Sequence, residues 1–319
     1  MSSALPYSTA NLIADIARQC ERGIAPEITL LADSLKERFG DSLDAIILYG
    51  SCLRSQHFTE GVVDLYAVVN SYQGAYTGKL LASMNAWLPP NVFYLEVDYG
   101  GVSIRAKYAV ISCEDLELGC SQWFHSYIWS RFAQPAILVY TRNPVIRAQL
   151  HQYFGQAVLT FLQTTIPVLG TDRFDARQIW VNGLSLTYAA ELRPERHTRA
   201  SQITEQGLED FSRLTESAAL ALSEYYVRRP EGNYQSIASS HSRRRTIRSW
   251  RIRRWQGRAL SVLRLAKAAY TFRDCVDYAA WKIQRHTGIT IQVTPALRRH
   301  PILFGFSVLW QLIKRDGLH

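Results

Sequence analysis

Residues 45–51, AIILYGS, and residues 62–70, VVDLYAVVN, decide the fold of this chain. Both segments are rich in branched and aromatic side chains, which favour β-strands. The first segment stops at Gly50-Ser51, where glycine permits a sharp bend and a close approach to the backbone. The intervening residues 52–61 suffice for one helical turn and a return loop. The sequence therefore predicts two strands joined through a Gly-Ser bend.

Asp64 is the chemically informative residue of the second strand. It stands in an otherwise apolar run, where a carboxylate is costly unless it is paired or binds a metal. Next to a Gly-Ser bend, such an acid can hold a magnesium ion against the phosphates of a nucleotide, while Gly50 and Ser51 contact the triphosphate. The alternative is an ordinary turn and a surface carboxylate, because a Gly-Ser pair near one acid is common.

Two further strands are predicted at residues 92–99 and 102–111, with Gly100-Gly101 as their hairpin turn. In the first of these strands, an alternation of period two places Glu96 and Asp98 on one face. One or both would complete the metal site with Asp64.

The rest of the chain changes from strand patterns to helix patterns. We predict a mixed α/β fold whose sheet and helices are followed by a mostly helical domain and a basic, amphipathic C-terminal region, with boundaries at residues 1–142, 143–235 and 236–319. The remaining predicted elements are helices at residues 9–39, 145–164, 175–192 and 204–226, a strand at 136–140, and a linker at 228–242.

The overall charge favours an anionic partner. The formal net charge is +9, which fits nucleic acid, nucleotide phosphates or an acidic lipid surface. The five cysteines have no zinc-type spacing, so we expect reduced thiols in a cytoplasmic compartment. No secretory signal is expected, because the N-terminal residues carry Asp15 and Glu21, and no apolar run reaches eighteen residues. Any membrane contact would therefore be peripheral.

Residues 243–273 contain eleven arginines and lysines and no acid, with Trp250 and Trp255 among them. Each cation near an anionic bilayer contributes about 1 kcal/mol, and tryptophan suits the headgroup region. In residues 259–272 an apolar side predicts an interfacial helix, and residues 281–319 resemble a second surface-seeking element. Two alternatives stay open: the segment binds nucleic acid, or its helix packs on the helical domain with solvated arginines. The apolar side consists of Leu260, Leu263, Ala266 and Tyr270.

The bend and the acid resemble the nucleotidyltransferase superfamily, in which a Gly-Ser or Gly-Gly turn precedes an acid-apolar-acid strand and a third acid on a later strand. Tyr66 stands at the position of the second acid. Within this superfamily, residues 45–193 are similar to the translocator-assembly-and-maintenance type of phosphatidate cytidylyltransferase, which also tends to lack that acid. The similarity depends on the order of short motifs: Tyr49-Gly50-Ser51, Gln56, Val63-Asp64-Leu65, residues 105–112, Glu114-Asp115-Leu116, Trp123, Arg131, Pro135, Leu184-Ser185 and Glu191-Leu192-Arg193.

Two departures from that family favour a bacterial branch: Ala109 replaces a glycine, and residues 187–189 replace the Gly-Asp of mitochondrial members. The resemblance implies transfer of CMP from CTP to phosphatidic acid with Mg²⁺, on the cytoplasmic face of a bacterial cell membrane. The roles that it implies are metal binding by Asp64 with Glu96 or Asp98, triphosphate contact by Gly50 and Ser51, and phosphate neutralisation by Lys107, Arg131 and Arg193.

Simpler roles compete for two of these cations. Lys107 would equally be a solvated strand lysine, and Arg193 would form an ion pair with Glu191 or Glu195 on its own helix. Two other functions also stay open. One is nucleotidyl transfer to RNA or to another phosphorylated acceptor. The other is a non-catalytic protein that binds membrane or nucleic acid, and the reason to consider it is Tyr66 in place of the second acid.

Overall fold

The computed structural model describes residues 9–55, 58, 61–169, 173–191 and 196–271. The chain begins with two helices, α1 (Ala10–Cys20) and α2 (Pro26–Phe39), where the sequence pattern predicts one. The prediction of a single helix was wrong because Gly23 lies in the connection and Pro26 occupies the first turn of α2, where a proline is favoured but cannot continue a preceding helix.

A five-stranded mixed sheet follows, in the order β3-β4-β2-β1-β5. The central pair β2 and β4 is parallel, and the other neighbours are antiparallel. All the strands predicted before residue 142 are present, and the β3–β4 hairpin turns at Gly100 and Gly101 with φ of 59° and 85°. The strands are β1 (Leu43–Tyr49), β2 (Val63–Val69), β3 (Asn91–Tyr99), β4 (Val102–Ser112) and β5 (Ile137–Thr141).

Short helices connect the strands, and the sequence pattern missed most of them. They have few residues and little periodicity, so tertiary packing and caps decide them. Ser71 and Ser112, for example, cap two of them by accepting hydrogen bonds from Gly74 N and Asp115 N. These helices are α3 (Ser51–Ser55), α4 (Tyr72–Ala75), α5 (Lys79–Trp87), α6 (Cys113–Ser121) and α7 (Trp129–Phe132).

The mostly helical part predicted after residue 142 is present. Gly207 separates two helices, so the single helix predicted at residues 204–226 was wrong. The linker predicted at residues 228–242 contains the short strand β8, which lies at the centre of a three-stranded sheet with the order β6-β8-β7. These elements are α8 (Pro144–Thr165), β6 (Arg173–Phe174), α9 (Ala176–Ala190), α10 (Arg196–Gln206), α11 (Leu208–Ala218), β7 (Tyr226–Arg228) and β8 (Tyr234–Ser236).

The two faces of the large sheet are both buried, against different helices. Alternation along β1 sends Ile46 toward α2 and Ile47 toward α8. On the α8 side, one buried cluster runs from the sheet through Phe132, stacked on Phe154 at 5.0 Å, to Trp180. The predicted fold class, a mixed α/β sheet followed by helices, is confirmed.

The last described element is the long helix α12 (Ser240–Thr271). It includes residues 259–271, where the sequence pattern predicts a helix, and starts well before them; residue 272 lies outside the described residues, and the interfacial role stays a prediction. In the described ranges, no helix is both long enough and apolar enough to cross a membrane. Residues 281–319, predicted to seek a surface, lie outside the described residues.

Candidate functional site

Gly50 and Asp64 meet at one corner of the sheet. Strand β1 ends at Tyr49, which pairs with Asp64 on the antiparallel strand β2. The chain then turns at Gly50 with a φ of +88°, a conformation that L side chains rarely adopt. A Cβ at Gly50 would lie 2.6 Å from Asp64 Oδ2, closer than non-bonded atoms approach. Only glycine therefore fits beneath the carboxylate.

A cavity of about 160 Å³ opens at this corner. Gly50, Ser51 and Asp64 line one side of it, so the predicted bend and the predicted acid share one space. Residues of α7, α9, α10 and their neighbouring loops, together with the last residue of β1, complete the lining. These further lining residues are Tyr49, Ser130, Arg131, Gln134, Pro135, Tyr188, Glu191, Arg199 and Ile203.

Lys107 is the cross-strand neighbour of Asp64. Strand β4 runs parallel to β2, and Asp64 and Lys107 are partners in the register. Paired residues point to the same face of a sheet, about 5 Å apart between strands. A cation and a carboxylate are thus neighbours on adjacent strands, and the neutralisation of phosphate by Lys107 stays a prediction.

Glu96 and Asp98 do not lie beside Asp64, because β4 separates their strand from β2. Glu96 accepts hydrogen bonds from Tyr94 and Ser103 and lies 3.5 Å from Arg105. Burial raises the pKa of Glu96, but these hydrogen bonds and Arg105 outweigh it and lower the pKa. Asp98 accepts a hydrogen bond from Gly101 N in the hairpin turn at 3.2 Å. Both acids have structural partners away from the corner.

Within the described part of the chain, no group of three or more His, Cys, Asp or Glu side chains could hold a metal ion. The sequence predicted that Glu96 or Asp98 joins Asp64, but the strand order does not bring them together, and metal binding by these residues stays a prediction. The sequence suggested it because alternation reveals the face of a strand but not the order of strands in a sheet.

Tyr66 occupies the position at which the nucleotidyltransferase superfamily has its second acid. Its side chain is fully buried and packs on Tyr49 and Phe132, with ring centroids 5.0 Å away in each case. Burial raises the pKa of this phenol, and the neighbouring Tyr127 raises it further. The position thus forms an apolar wall behind Asp64, and a carboxylate there would be buried.

Arg131 lines the cavity but already has a partner. Its guanidinium forms a two-pronged ion pair with Glu191, with Nη1–Oε1 and Nη2–Oε2 distances of 3.0 and 3.2 Å. It also lies over the Tyr127 ring, 3.7 Å from its centroid. Arg131 therefore joins α7 to the end of α9, and its predicted contact with a nucleotide stays a prediction. Arg193 lies outside the described residues.

Glu191, Tyr188 and Arg199 face the cavity from the helical part, and sequence reasoning gave none of them a role at the site. Glu191 belongs to the acidic-apolar-arginine triplet in the resemblance, which was the available signal. No local pattern marks Tyr188 or Arg199, because their place at the cavity depends on how α9 and α10 pack against the sheet.

Comparisons with known proteins add little. No family model matches the chain, and no curated protein matches it significantly. Among solved structures, the chain is similar to a nucleotidyltransferase-like protein from Exiguobacterium sibiricum 255-15, with 9% identity over 92% of each chain. The TM-score is 0.28, which is too low to support a conclusion about fold or activity.

Proposed function

We propose that this chain is a magnesium-dependent nucleotidyltransferase that transfers CMP from CTP to phosphatidic acid at a membrane surface. The observation that carries the proposal is the contact between Asp64 and the Gly50 bend, where an added Cβ would lie 2.6 Å from Asp64 Oδ2. It sets an acid directly over a glycine backbone at the edge of a cavity. Nucleotidyl transfer needs such a corner, because the triphosphate must approach the chain closely while a metal ion holds it.

Each residue of the corner has a role in binding the nucleotide. Gly50 leaves its backbone open to the triphosphate, and Ser51 offers a hydroxyl to a phosphate oxygen. Lys107, paired with Asp64 across the strands, neutralises phosphate charge. Arg199, on α10, also lines the cavity and supplies a second cation.

The donors at the corner fit a Mg²⁺ ion that the protein shares with the nucleotide. Asp64 provides one carboxylate, and Mg²⁺ is commonly bound by one or two carboxylates plus substrate phosphates rather than by a full protein cage. Asp64 would hold the ion, with Ser51 beside it at the same cavity. When bound, the ion neutralises the charge that develops on the phosphates during transfer.

The reaction requires no protein nucleophile. An oxygen of the phosphatidic acid phosphate attacks the α-phosphorus of CTP, and the bond to the bridging oxygen of the β-phosphate breaks. The products are CDP-diacylglycerol and pyrophosphate. Because the attacking phosphate is already an anion at neutral pH, catalysis depends on alignment and on charge neutralisation. The choice of CTP and phosphatidic acid follows from the motif resemblance.

The outer side of α12 supports contact with an anionic membrane. Ile252, Trp255 and Leu265 are 60%, 75% and 72% exposed, which is an unusually large exposed apolar area for one helix. Exposed arginines lie among them, and residues 243–271 contain no acid. Such a surface fits lipid headgroups and the adjoining acyl region on the cytoplasmic face of a bacterial membrane. The exposed arginines are Arg243, Arg244, Arg245, Arg248, Arg251 and Arg254.

The same basic surface favours RNA as the second candidate acceptor, since arginines bind phosphates and Trp255 can stack on a base. A non-catalytic binding protein is the third candidate, and Tyr66 in place of an acid is the observation that favours it.

One assay distinguishes the three candidates. Purified protein is incubated with labelled CTP and Mg²⁺, once with phosphatidic acid vesicles and once with RNA. We expect label in the lipid fraction, and none with the Asp64→Ala variant. Label in RNA would favour the second candidate. No label in either acceptor would leave the binding protein and would contradict the proposed activity.

A further inference from the structure

The inner side of α12 is basic. Trp250, Arg253, Arg264 and Lys267 lie at helical spacing on the side that packs against the protein. Arg253 is 7% exposed and Lys267 is 5% exposed. Most amphipathic helices turn apolar residues inward and cations outward. In α12, long cationic side chains reach inward, and a group of apolar side chains faces solvent.

Arg253 lies in an aromatic cage. Its guanidinium carbon is 4.5, 4.8 and 5.6 Å from the ring centroids of Phe124, Trp250 and Trp129. Arg253 Nε donates a hydrogen bond to Phe124 O. The buried Nη1 donor has no hydrogen-bond partner in the described ranges. The three rings surround the guanidinium group, but its Nη1 N–H groups have no acceptor among the described residues.

Arg264 and Arg131 both lie over Tyr127. Their guanidinium carbons are 3.9 and 3.7 Å from the centroid of that ring. Arg264 Nε donates to Pro89 O at 3.3 Å, while its buried Nη2 has no hydrogen-bond partner among the residues that the structure describes. The Tyr127 ring therefore contacts two guanidinium groups, and one of them, that of Arg131, lines the Asp64 cavity.

Among the residues that the structure describes, negative charge is scarce around these groups. Glu191 is the carboxylate found there, and it forms an ion pair with Arg131. Neither Arg253 nor Arg264 forms an ion pair with a carboxylate in the part of the chain that the structure describes. A buried charge without a counter-ion is strongly unfavourable, so such groups are normally paired or bind an anion.

Two more orphaned polar atoms lie at the same place. His125 Nδ1 and the Tyr66 hydroxyl are buried, and neither has a hydrogen-bond partner in the described segments. Burial lowers the pKa of His125 to about 4, and the charges of Arg264, Arg131 and Arg253 add to this effect. In the described segments, the cluster thus combines unpartnered polar atoms with two guanidinium groups that have no carboxylate partner.

We propose that Arg253 and Arg264, with His125 and Tyr66, form a binding site for a phosphomonoester. A phosphate group matches the site because it carries up to two negative charges and several acceptor oxygens, and because arginine binds phosphate with two parallel N–H groups. The proposal accounts together for the inverted amphipathicity of α12 and for the orphaned donors of the cluster.

The site adjoins the nucleotide corner. Tyr66 lies two residues after Asp64 on β2, on the same face of the sheet, and Arg131 lines both the cluster and the Asp64 cavity. A phosphomonoester held there is placed to act as the acceptor of the transferred group. This role as acceptor rests on the proposed function, whereas the binding of the phosphate does not.

Glycerol 3-phosphate is the test probe, titrated calorimetrically into the full chain without nucleotide or divalent ion. We expect wild-type protein to bind it and to unfold at a higher temperature in its presence, since a ligand of the native state stabilises that state. Arg264→Gln removes a charge and an orphaned donor and should weaken binding at least tenfold. Tyr66→Phe, which removes only a hydroxyl, should weaken it several-fold. Arg173→Gln, at an exposed position of β6, is the matched control and should bind like wild type.

Any of the following results would overturn the proposal: no binding to wild type at millimolar probe, unchanged affinity in both Arg264→Gln and Tyr66→Phe, or an equal loss in Arg173→Gln. Asp64→Ala separates the site from the transfer reaction. Binding that survives Asp64→Ala supports the site even if every transfer assay fails. Binding lost in Asp64→Ala but kept in Arg264→Gln would put the anion at the nucleotide corner instead, and would contradict the proposal.

Phosphatidic acid vesicles and inorganic phosphate distinguish the sources of the phosphate group. If Arg264→Gln weakens vesicle binding as it weakens glycerol 3-phosphate binding, the site takes a lipid headgroup. If it weakens only the soluble probes, the site takes a free phosphomonoester. If it weakens neither, the proposal is wrong.

Discussion

The Gly50–Asp64 corner and helix α12 have the two clearest patterns in the sequence. The structure agrees with the pattern at the corner and departs from it in α12. At the corner, the acid lies where the pattern of bend and strand predicts it, against a glycine that cannot be replaced without collision. In α12, the cations predicted to face a membrane are divided between the two sides, and Arg253 and Lys267 are buried. A contact between neighbouring strands follows from local sequence. The orientation of a long helix depends on surfaces supplied by distant segments.

The two tryptophans of α12 test its orientation with the largest expected effect. Trp250 is 4% exposed and donates to Thr164 O at 2.8 Å, whereas Trp255 is 75% exposed. We expect Trp250→Ala to lower the free energy of unfolding by about 3–5 kcal/mol in urea titrations. Trp255→Ala should change it by less than about 0.5 kcal/mol but should reduce sedimentation with anionic vesicles. Similar stability losses in the two variants would contradict this orientation.

Gly50→Ala tests the corner. The added Cβ would displace the Asp64 carboxylate, and a misplacement of about 1 Å can lower a rate roughly 100-fold. We therefore expect nucleotidyl transfer to fall by about that factor while the protein stays folded. Gly40→Ala is the matched control, because Gly40 also has a positive φ, +48°, but nothing lies within 4 Å of its added Cβ. A Gly50→Ala enzyme as active as Gly40→Ala would show that the corner is not catalytic.

The strand pattern, the Gly-Ser bend and the place of Asp64 were predictable because short runs of branched residues and a glycine define them locally. The separation of Glu96 and Asp98 from Asp64 was not predictable in this way. Alternation shows that they share a face of β3, but only the sheet order, with β4 between β3 and β2, separates them from Asp64. The place of Arg264 over Tyr127 was equally hidden, since it depends on contacts between residues far apart in the sequence.

A lower pH should reduce the free energy of unfolding, because His125 lies in the cluster beneath α12. The pKa of His125 is about 4 in the folded protein, below its ordinary value near 6.5, so the unfolded chain takes up a proton first as the pH falls. The contribution of His125 to the free energy of unfolding should therefore decrease by about 2 kcal/mol as the pH falls from 6.5 to 5. Urea titrations of wild type and His125→Gln across this range measure it. An identical pH dependence in the two proteins would contradict the prediction.

Gly257→Ala tests how closely α12 packs on α9, with a smaller expected effect. An added Cβ would lie 2.5 Å from the Ala190 carbonyl oxygen, so one helix must shift. We expect a loss of about 1–2 kcal/mol, because overpacking costs more than the helix propensity gained from alanine. Arg254→Ala, at an exposed position of the same helix, should leave the unfolding midpoint nearly unchanged. A more stable Gly257→Ala protein would mean that the two helices do not meet there.

The most direct test of the corner is the affinity for CTP with and without Mg²⁺, measured calorimetrically in wild type and in Asp64→Asn. If the Asp64 carboxylate holds the ion against the triphosphate, Mg²⁺ should tighten CTP binding at least tenfold in wild type and should have little effect in the variant. Equal tightening by Mg²⁺ in both proteins would contradict the account.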